Sequence, residues 1–221
     1  MNPPCPYCQR ELPKVPTRKS ACPFCTKPIV IKKTPGLGPG FKLLTERDAL
    51  ILSRYELLNI TLDEILEAKT SLPGLPTGDW ESSDVLWWIL NRRVQQLMTR
   101  VESKKEGEEA LRQLKELHWV MARFVFEDGQ DPTPSRREAA RMDLLIWKRA
   151  AEEGLLDRDA TKVEIVAAGD ISCDACHRAS GQQFTLNEAL KQSPLPVKGC
   201  THDQEGRPVG WCRCCFGIVE T

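Results

Sequence analysis

Ten cysteines are gathered at the two ends of the 221-residue chain, and their spacing points to metal ligation. Cys5-Pro6-Tyr7-Cys8 and Cys22-Pro23-Phe24-Cys25 are two CxxC turns separated by thirteen residues. Each turn sets two sulfurs side by side, so that a pair of turns can complete a tetrahedron around Zn²⁺. Iron held by four thiolates uses the same spacing. A redox dithiol would want one CxxC beside a βαβ unit, and here there are two copies with no such context. At the far end, Cys173 and Cys176 form a third CxxC, followed by Cys200, Cys212, Cys214 and Cys215. Cys212 and Cys215 reproduce CxxC spacing, whereas Cys212 and Cys214 would share one face of a strand and could not both do so with Cys215. The expected ligands are Cys173, Cys176, Cys200 and Cys212, with Cys214 as substitute and His177 and His202 as weaker candidates. An all-sulfur shell leaves no open coordination position, so both metals are expected to be structural, two zinc ions per chain.

The chain opens without a basic start leading into an apolar core, and no apolar run approaches the ~18 residues of a membrane span. Thiolate ligation in a reducing, cytoplasmic setting is therefore expected rather than disulfides. Net charge is zero but uneven: residues 1–42 carry eight Lys/Arg against the single Glu11. Arg10, Lys14, Arg18, Lys19, Lys27, Lys32 and Lys33, with Tyr7 and Phe24 in the two turns, suit contact with nucleic acid: cations for phosphates, rings for bases.

These thiols need elements to position them. About thirty N-terminal residues cannot bury enough apolar surface alone, so metal binding and folding should be one event there. Thr34-Pro35-Gly36-Leu37-Gly38-Pro39-Gly40 reads as a linker, and nine of the sixteen prolines fall in the first forty residues. The middle is helical. Thr45/Asp48 and Thr61/Glu64 carry capping-box spacing. Asp79 or Ser82 can cap a long helix to about Ser103. On it Trp87, Leu90, Val94, Leu97 and Val101 make a stripe that should face Leu111, Leu114, Leu117, Met121 and Phe124 in an antiparallel hairpin. Ser135 opens a further helix. His118 and the tryptophans Trp80, Trp87, Trp88 and Trp119 read as core, the histidine hydrogen-bonded. Near the C-terminus Val163, Ile165 and Ala167 alternate as a half-buried strand, Gln183–Thr185 is a short strand, Leu186–Gln192 a helical turn or two, and Gly210–Val219 a last strand. The fold class is mainly α: zinc ribbon 1–33, linker 34–42, helical bundle 43–160, and a small α+β zinc-bound module at 161–221.

Residues 5 to about 33 resemble the small zinc ribbons fused to many bacterial proteins, which implies a binding module. The order strand, Gly169-Asp170, CxxC, Gly-x-x-Phe, a Leu-Asn-Glu-Ala-Leu turn, a Pro-rich connection and a Cys-Arg-Cys ending resembles the C-terminal tail of phage Mu F-like head-morphogenesis domains. It departs from them at Gly199-Cys200-Thr201-His202. That likeness implies handling of a phage head or its DNA. No Gly-rich phosphate loop or nucleophile elbow occurs, acidic pairs such as Glu108-Glu109 and Glu152-Glu153 read as solvated faces rather than a catalytic pair, and no small-molecule substrate is evident. The expectation is a non-enzymatic, zinc-stabilised adaptor binding nucleic acid through the ribbon and protein through the bundle. The alternatives are a phage or mobile-element head-morphogenesis-like factor and an HNH-like metal-dependent nuclease with His202 as base.

Overall fold

The computed structural model describes residues 2–33, 41–72, 74, 82–103, 105–157, 160–169, 172–201, 203–204, 207–208 and 212–219. It is mostly helical, with a three-stranded sheet at the N-terminus and a small α+β part at the C-terminus. The chain divides into two compact units, Met1–Arg92 and Arg93–Thr221.

In the first unit β1 (Ser20–Ala21), β2 (Pro28–Lys33) and β3 (Phe41–Leu44) form an antiparallel sheet in that order. Val30 pairs with Leu44 and Lys33 with Phe41, so Phe41 and Lys42 stand in a strand although the sequence suggests linker there. The rest of the expected linker, 34–40, lies outside the described residues. Two capping boxes then start helices, as their spacing predicts. The Thr45 side chain accepts from the Asp48 N–H and opens α1 (Glu46–Leu57), while Thr61 does the same with Glu64 for α2 (Leu62–Ser71). Asn59, at φ 49°, breaks the chain between them. Helix α3 (Ser83–Val101) follows, and the Ser82 hydroxyl accepts from the Asp84 N–H; Asp79, the other expected cap, and Trp80 are outside the described residues.

The second unit holds α4 (Gly107–Glu127) and α5 (Thr133–Glu152). Leu111 and Leu114 of α4 pack with Met142 and Ile146 of α5, and Val94, Leu97 and Val101 of α3 lie against that cluster. The α4 stripe therefore serves two helices rather than α3 alone. At the join, the Arg149 guanidinium donates to the Val101 carbonyl at the end of α3 and to the Ser103 carbonyl, which also accepts the Gly107 N–H, at 3.2 and 2.9 Å. Gly107 makes room for it, since a Cβ there would run into Arg149 Nη1 and the Val101 carbonyl. Helix α5 begins two residues before Ser135, because the Asp131 carboxylate accepts from the Thr133 N–H and Pro134 is already set for a first helical turn.

Beyond α5, β4 (Lys162–Val166) is the centre of an antiparallel sheet ordered β5–β4–β8, with α6 (Asp174–Ala179), β5 (Gln183–Thr185) and α7 (Leu186–Gln192) between. Two short strands, β6 (Asp203–Gln204) and β7 (Arg207–Pro208), pair with each other before β8 (Cys215–Val219). Val163 faces Phe184 and Ile218, and Ile165 faces Phe216. The predicted alternation holds, with Val163 and Ile165 buried. The last strand is shorter than Gly210–Val219: Cys212 and Cys214 precede it. Its sheet shares one core with α5, where Ala140, Leu144 and Ala151 meet Val163, Ile165, Leu186, Leu195 and Phe216. Among the described residues no helix is long and apolar enough to cross a membrane.

Candidate metal centres

All ten cysteines are free thiols. Nine of them fall into clusters with metal-binding geometry. At the N-terminus the sulfurs of Cys5, Cys8, Cys22 and Cys25 all lie within 4.8 Å of one another. The Cys5–Cys25 and Cys8–Cys22 separations are both 3.9 Å. A tetrahedron with metal–sulfur bonds of ~2.3 Å has edges of ~3.8 Å, so the four thiols fit a metal without rearrangement. The arrangement is consistent with a zinc ribbon. Its own apolar core is Cys5, Leu12, Cys22 and Ile29, two of which are ligands.

The two turns are copies of one six-residue device, Cys5-Pro6-Tyr7-Cys8-Gln9-Arg10 and Cys22-Pro23-Phe24-Cys25-Thr26-Lys27. In each, the first cysteine sulfur accepts the N–H two residues on at 3.4 Å, from Tyr7 and from Phe24. The fifth residue turns through positive φ, 59° at Gln9 and 60° at Thr26. The first cysteine N–H donates to the sixth residue's carbonyl at 2.9 Å in both. The sixth residue is basic and lies over the aromatic ring of the other turn: Arg10 is 5.6 Å from the Phe24 centroid and Lys27 5.2 Å from that of Tyr7. The repeat CPxCx[RK] was there to be read, but its reciprocal pairing follows only once the metal site brings the turns together.

Burial pushes the Cys22 thiol up, but the N–H groups of Cys25 and Phe24 and the neighbouring thiols pull it down to about 6. Cys25 moves the opposite way, to about 11: the Lys27 N–H pulls it down, but burial and the other three thiols outweigh that. The Cys22 thiolate is thus available at neutral pH to start metal binding, and the charge of a bound metal would favour ionising Cys25 as well.

The expected nucleic-acid contacts divide into two sets. Lys19 pairs with Glu46 at 2.7 Å, and Lys32 reaches Glu56 and the Ser53 hydroxyl at 2.7 and 2.8 Å, so α1 takes both. Arg10, Lys14, Arg18 and Lys27 are exposed and have no carboxylate partner among the described residues. The Lys33 side chain lies outside them.

The C-terminal centre holds five thiols in two triads that share Cys176: Cys173, Cys176, Cys200 and Cys176, Cys212, Cys214. Cys200 is 3.7 Å from Cys173 and 3.5 Å from Cys176, and Cys212 is 3.9 Å from Cys176. Those edges again suit a tetrahedral metal. Cys173 is the N-cap of α6 and Cys176 lies in its first turn, while Gly199 at φ 79° turns Cys200 toward them. Cys212 and Cys214 are both buried and both join the cluster; Cys215, the first residue of β8, is exposed and in neither triad. Strand alternation does not decide between Cys212 and Cys214, because neither is on the strand. His177 is exposed on α6 and in neither triad, and His202 lies outside the described residues.

The Cys214 thiol donates to Cys212 and holds it, against burial, down to about 5, while Cys214 itself is pushed far up by that bond and by burial. Burial pushes Cys173 up, but the N–H groups of Cys176 and Thr201 draw it to about 6; burial and nearby Cys212 raise Cys176 to about 11.

Arg136 was not anticipated here. It is 3% exposed, donates to the Cys212 carbonyl at 3.1 Å and the Cys214 carbonyl at 3.5 Å, and its guanidinium lies 3.1 Å from the Trp119 ring centroid. Burial lowers it to about 10, with the Cys212 thiolate and Asp143 opposing, so it stays charged at neutral pH. The one sequence signal is its place a helical turn before Ala139 and Ala140 on the buried face of α5. His118 departs from expectation: its Nδ1 has no hydrogen-bond partner among the described residues, and burial lowers its pKa, with Glu138 opposing.

Compared with protein-family models, curated proteins and solved structures, the chain matches none.

Proposed function

We propose that this chain is a non-enzymatic, zinc-stabilised adaptor whose N-terminal ribbon contacts nucleic acid and whose second unit contacts protein. One observation carries the first half: beside a four-thiol ribbon, Arg10, Lys14, Arg18 and Lys27 remain exposed and, among the described residues, without a carboxylate partner after Lys19 and Lys32 have been taken up by α1. Unspent cations on a small rigid ribbon favour a polyanion. Zinc is favoured because four thiolates in a closed tetrahedron suit it and leave no position for a substrate. For the protein-binding half, a groove of about 530 Å³ in the second unit has Ile146, Trp147, Leu155, Leu156 and Ile218 in its lining, with Leu155 72% exposed. Charged side chains, Glu108, Arg112, Lys115, Glu116 and Asp143, line the same groove, and apolar surface bordered by charges suits a protein partner. The head-morphogenesis alternative keeps as its support only the order of elements from β4 through the CxxC turn, β5 and α7 to β8.

The test is titration of the metal-loaded chain with labelled single-stranded and duplex nucleic acid at increasing salt. Four phosphate contacts predict an affinity loss of about 50-fold for a single strand between ~50 and ~200 mM salt. Replacing Arg10, Lys14, Arg18 and Lys27 together by Gln should abolish that dependence. Failure to bind any nucleic acid at low salt refutes the proposal.

A further inference from the structure

The ribbon contains an internal control. Its two six-residue turns share backbone geometry, an aromatic third residue and a basic sixth residue, yet they have different fates. The first is occupied by the chain itself: the Tyr7 hydroxyl accepts the Glu46 N–H at 3.0 Å, at the first turn of α1, where Lys19 also pairs with Glu46. Tyr7 is half-buried in consequence. The second has no such use. Phe24 is 46% exposed, carries no hydroxyl, and among the described residues has the Arg10 guanidinium alone over its ring.

We infer that this second turn, Phe24 with Arg10, is a stacking site for single-stranded nucleic acid. The inference rests on the reading of the ribbon as a nucleic-acid contact and narrows it to one turn and one class of strand. A flat apolar ring held beside a permanent cation matches an unpaired base and its phosphate, because every base offers a π-face and the guanidinium complements the phosphate in charge and shape. A duplex hides those faces in its own stack and offers the ring nothing. Lys27 is over Tyr7 and, with Lys14 and Arg18, supplies further positive charge for the phosphates of a strand running across the ribbon. An acidic or phosphorylated peptide would use the cations but not the ring.

The full, metal-loaded chain is to be titrated by fluorescence anisotropy with a labelled oligonucleotide of about 12 nucleotides, within the site sizes of single-strand binders, and with the duplex of the same sequence. The single strand should bind tighter than the duplex. Phe24→Ala should weaken it by about tenfold or more, Phe24→Tyr should retain binding, and Arg10→Gln should weaken it several-fold, all with metal content unchanged by elemental analysis. Tyr7→Phe should leave binding as it was. Wild-type affinity in Phe24→Ala with metal retained, or a duplex bound as tightly as the single strand, overturns the inference while the proposed function stands. No binding to either form overturns both. Stronger, Phe24-dependent binding of a phosphopeptide also overturns it.

Discussion

The two candidate metal centres offer the same thiol chemistry in opposite structural settings. The N-terminal four-thiol site is nearly all the core its ribbon has: among the described residues Leu12 and Ile29 are the buried apolar residues in its cluster besides Cys5 and Cys22. The C-terminal site lies in a core shared with α5, and Cys176, Cys212 and Cys214 pack in the same cluster as Ala140, Leu144 and Ala151. A metal in the first setting makes a fold possible where the hydrophobic effect is too small. In the second it locks a fold that already has apolar surface to bury. The same ion is therefore expected to have a local effect at one end and a wide one at the other.

Matched cysteine replacements test that difference and carry the largest effects. Cys176→Ser removes the sulfur common to both triads, so one metal per chain should be lost and amide protection should fall in β4, β8 and α5 together. Cys22→Ser should also lose one metal, but deprotection should stay within residues 2–33. Binding energies on the order of 10 kcal/mol for such ions make either loss decisive for the part that depends on it. Elemental analysis with hydrogen exchange by mass spectrometry reads both. A Cys176→Ser chain with α5 fully protected, or a Cys22→Ser chain with α4 and α5 exposed, breaks the contrast.

Arg136 offers a smaller and sharper test of the C-terminal setting. Replacing it by Met keeps much of the volume but leaves the Cys212 carbonyl without its donor and removes the cation from Trp119. Loss of a buried charged donor should cost about 3 kcal/mol, read as a lower urea midpoint with the slope unchanged. Because Arg136 orients the backbone that carries two thiols, metal affinity at this end should drop by roughly tenfold or more while the ribbon metal stays. Equal weakening of both metals would show that the effect is global.

What the sequence made legible was local. CxxC spacing picked out the cysteines that cluster at the N-terminus and the first pair of the C-terminal cluster, and the Thr45/Asp48 and Thr61/Glu64 boxes marked α1 and α2 because a cap is decided within four residues. The arrangement of β4, β5 and α7 also followed from short patterns. What stayed hidden depends on distant partners. Arg136 and Arg137 are the same residue type side by side, and what sets Arg136 apart is the Trp119 ring together with carbonyls 76 and 78 positions away. The Cys212-Arg213-Cys214 spacing reads as one face of a strand, whereas the thiol cluster holds both cysteines before the strand begins. The α3 and α4 stripes suggested a simple hairpin because nothing in their period reveals that α5 shares the α4 face.

The smallest expected effects come from the ribbon's polar ties to α1. Lys19 and Glu46 are 63% and 54% exposed at their side chains, and an ion pair in that setting contributes at most about 1 kcal/mol. The Tyr7 hydroxyl serves an N–H at the first turn of α1, which water can satisfy in its place, so Tyr7→Phe should cost about 0.5–1 kcal/mol. Lys19→Ala combined with Tyr7→Phe should therefore lower the stability of the first unit by no more than about 2 kcal/mol, leave its metal bound, and weaken as a difference when salt is raised. The β2–β3 ladder, which pairs Val30 with Leu44 and Ile31 with Leu43, would still hold the ribbon to the strand that leads into α1. If the double variant instead loses several kcal/mol in urea denaturation, or sheds its metal, the ribbon depends on α1 as closely as the C-terminal site depends on α5. The two centres would then differ in ligand number and not in how they are embedded.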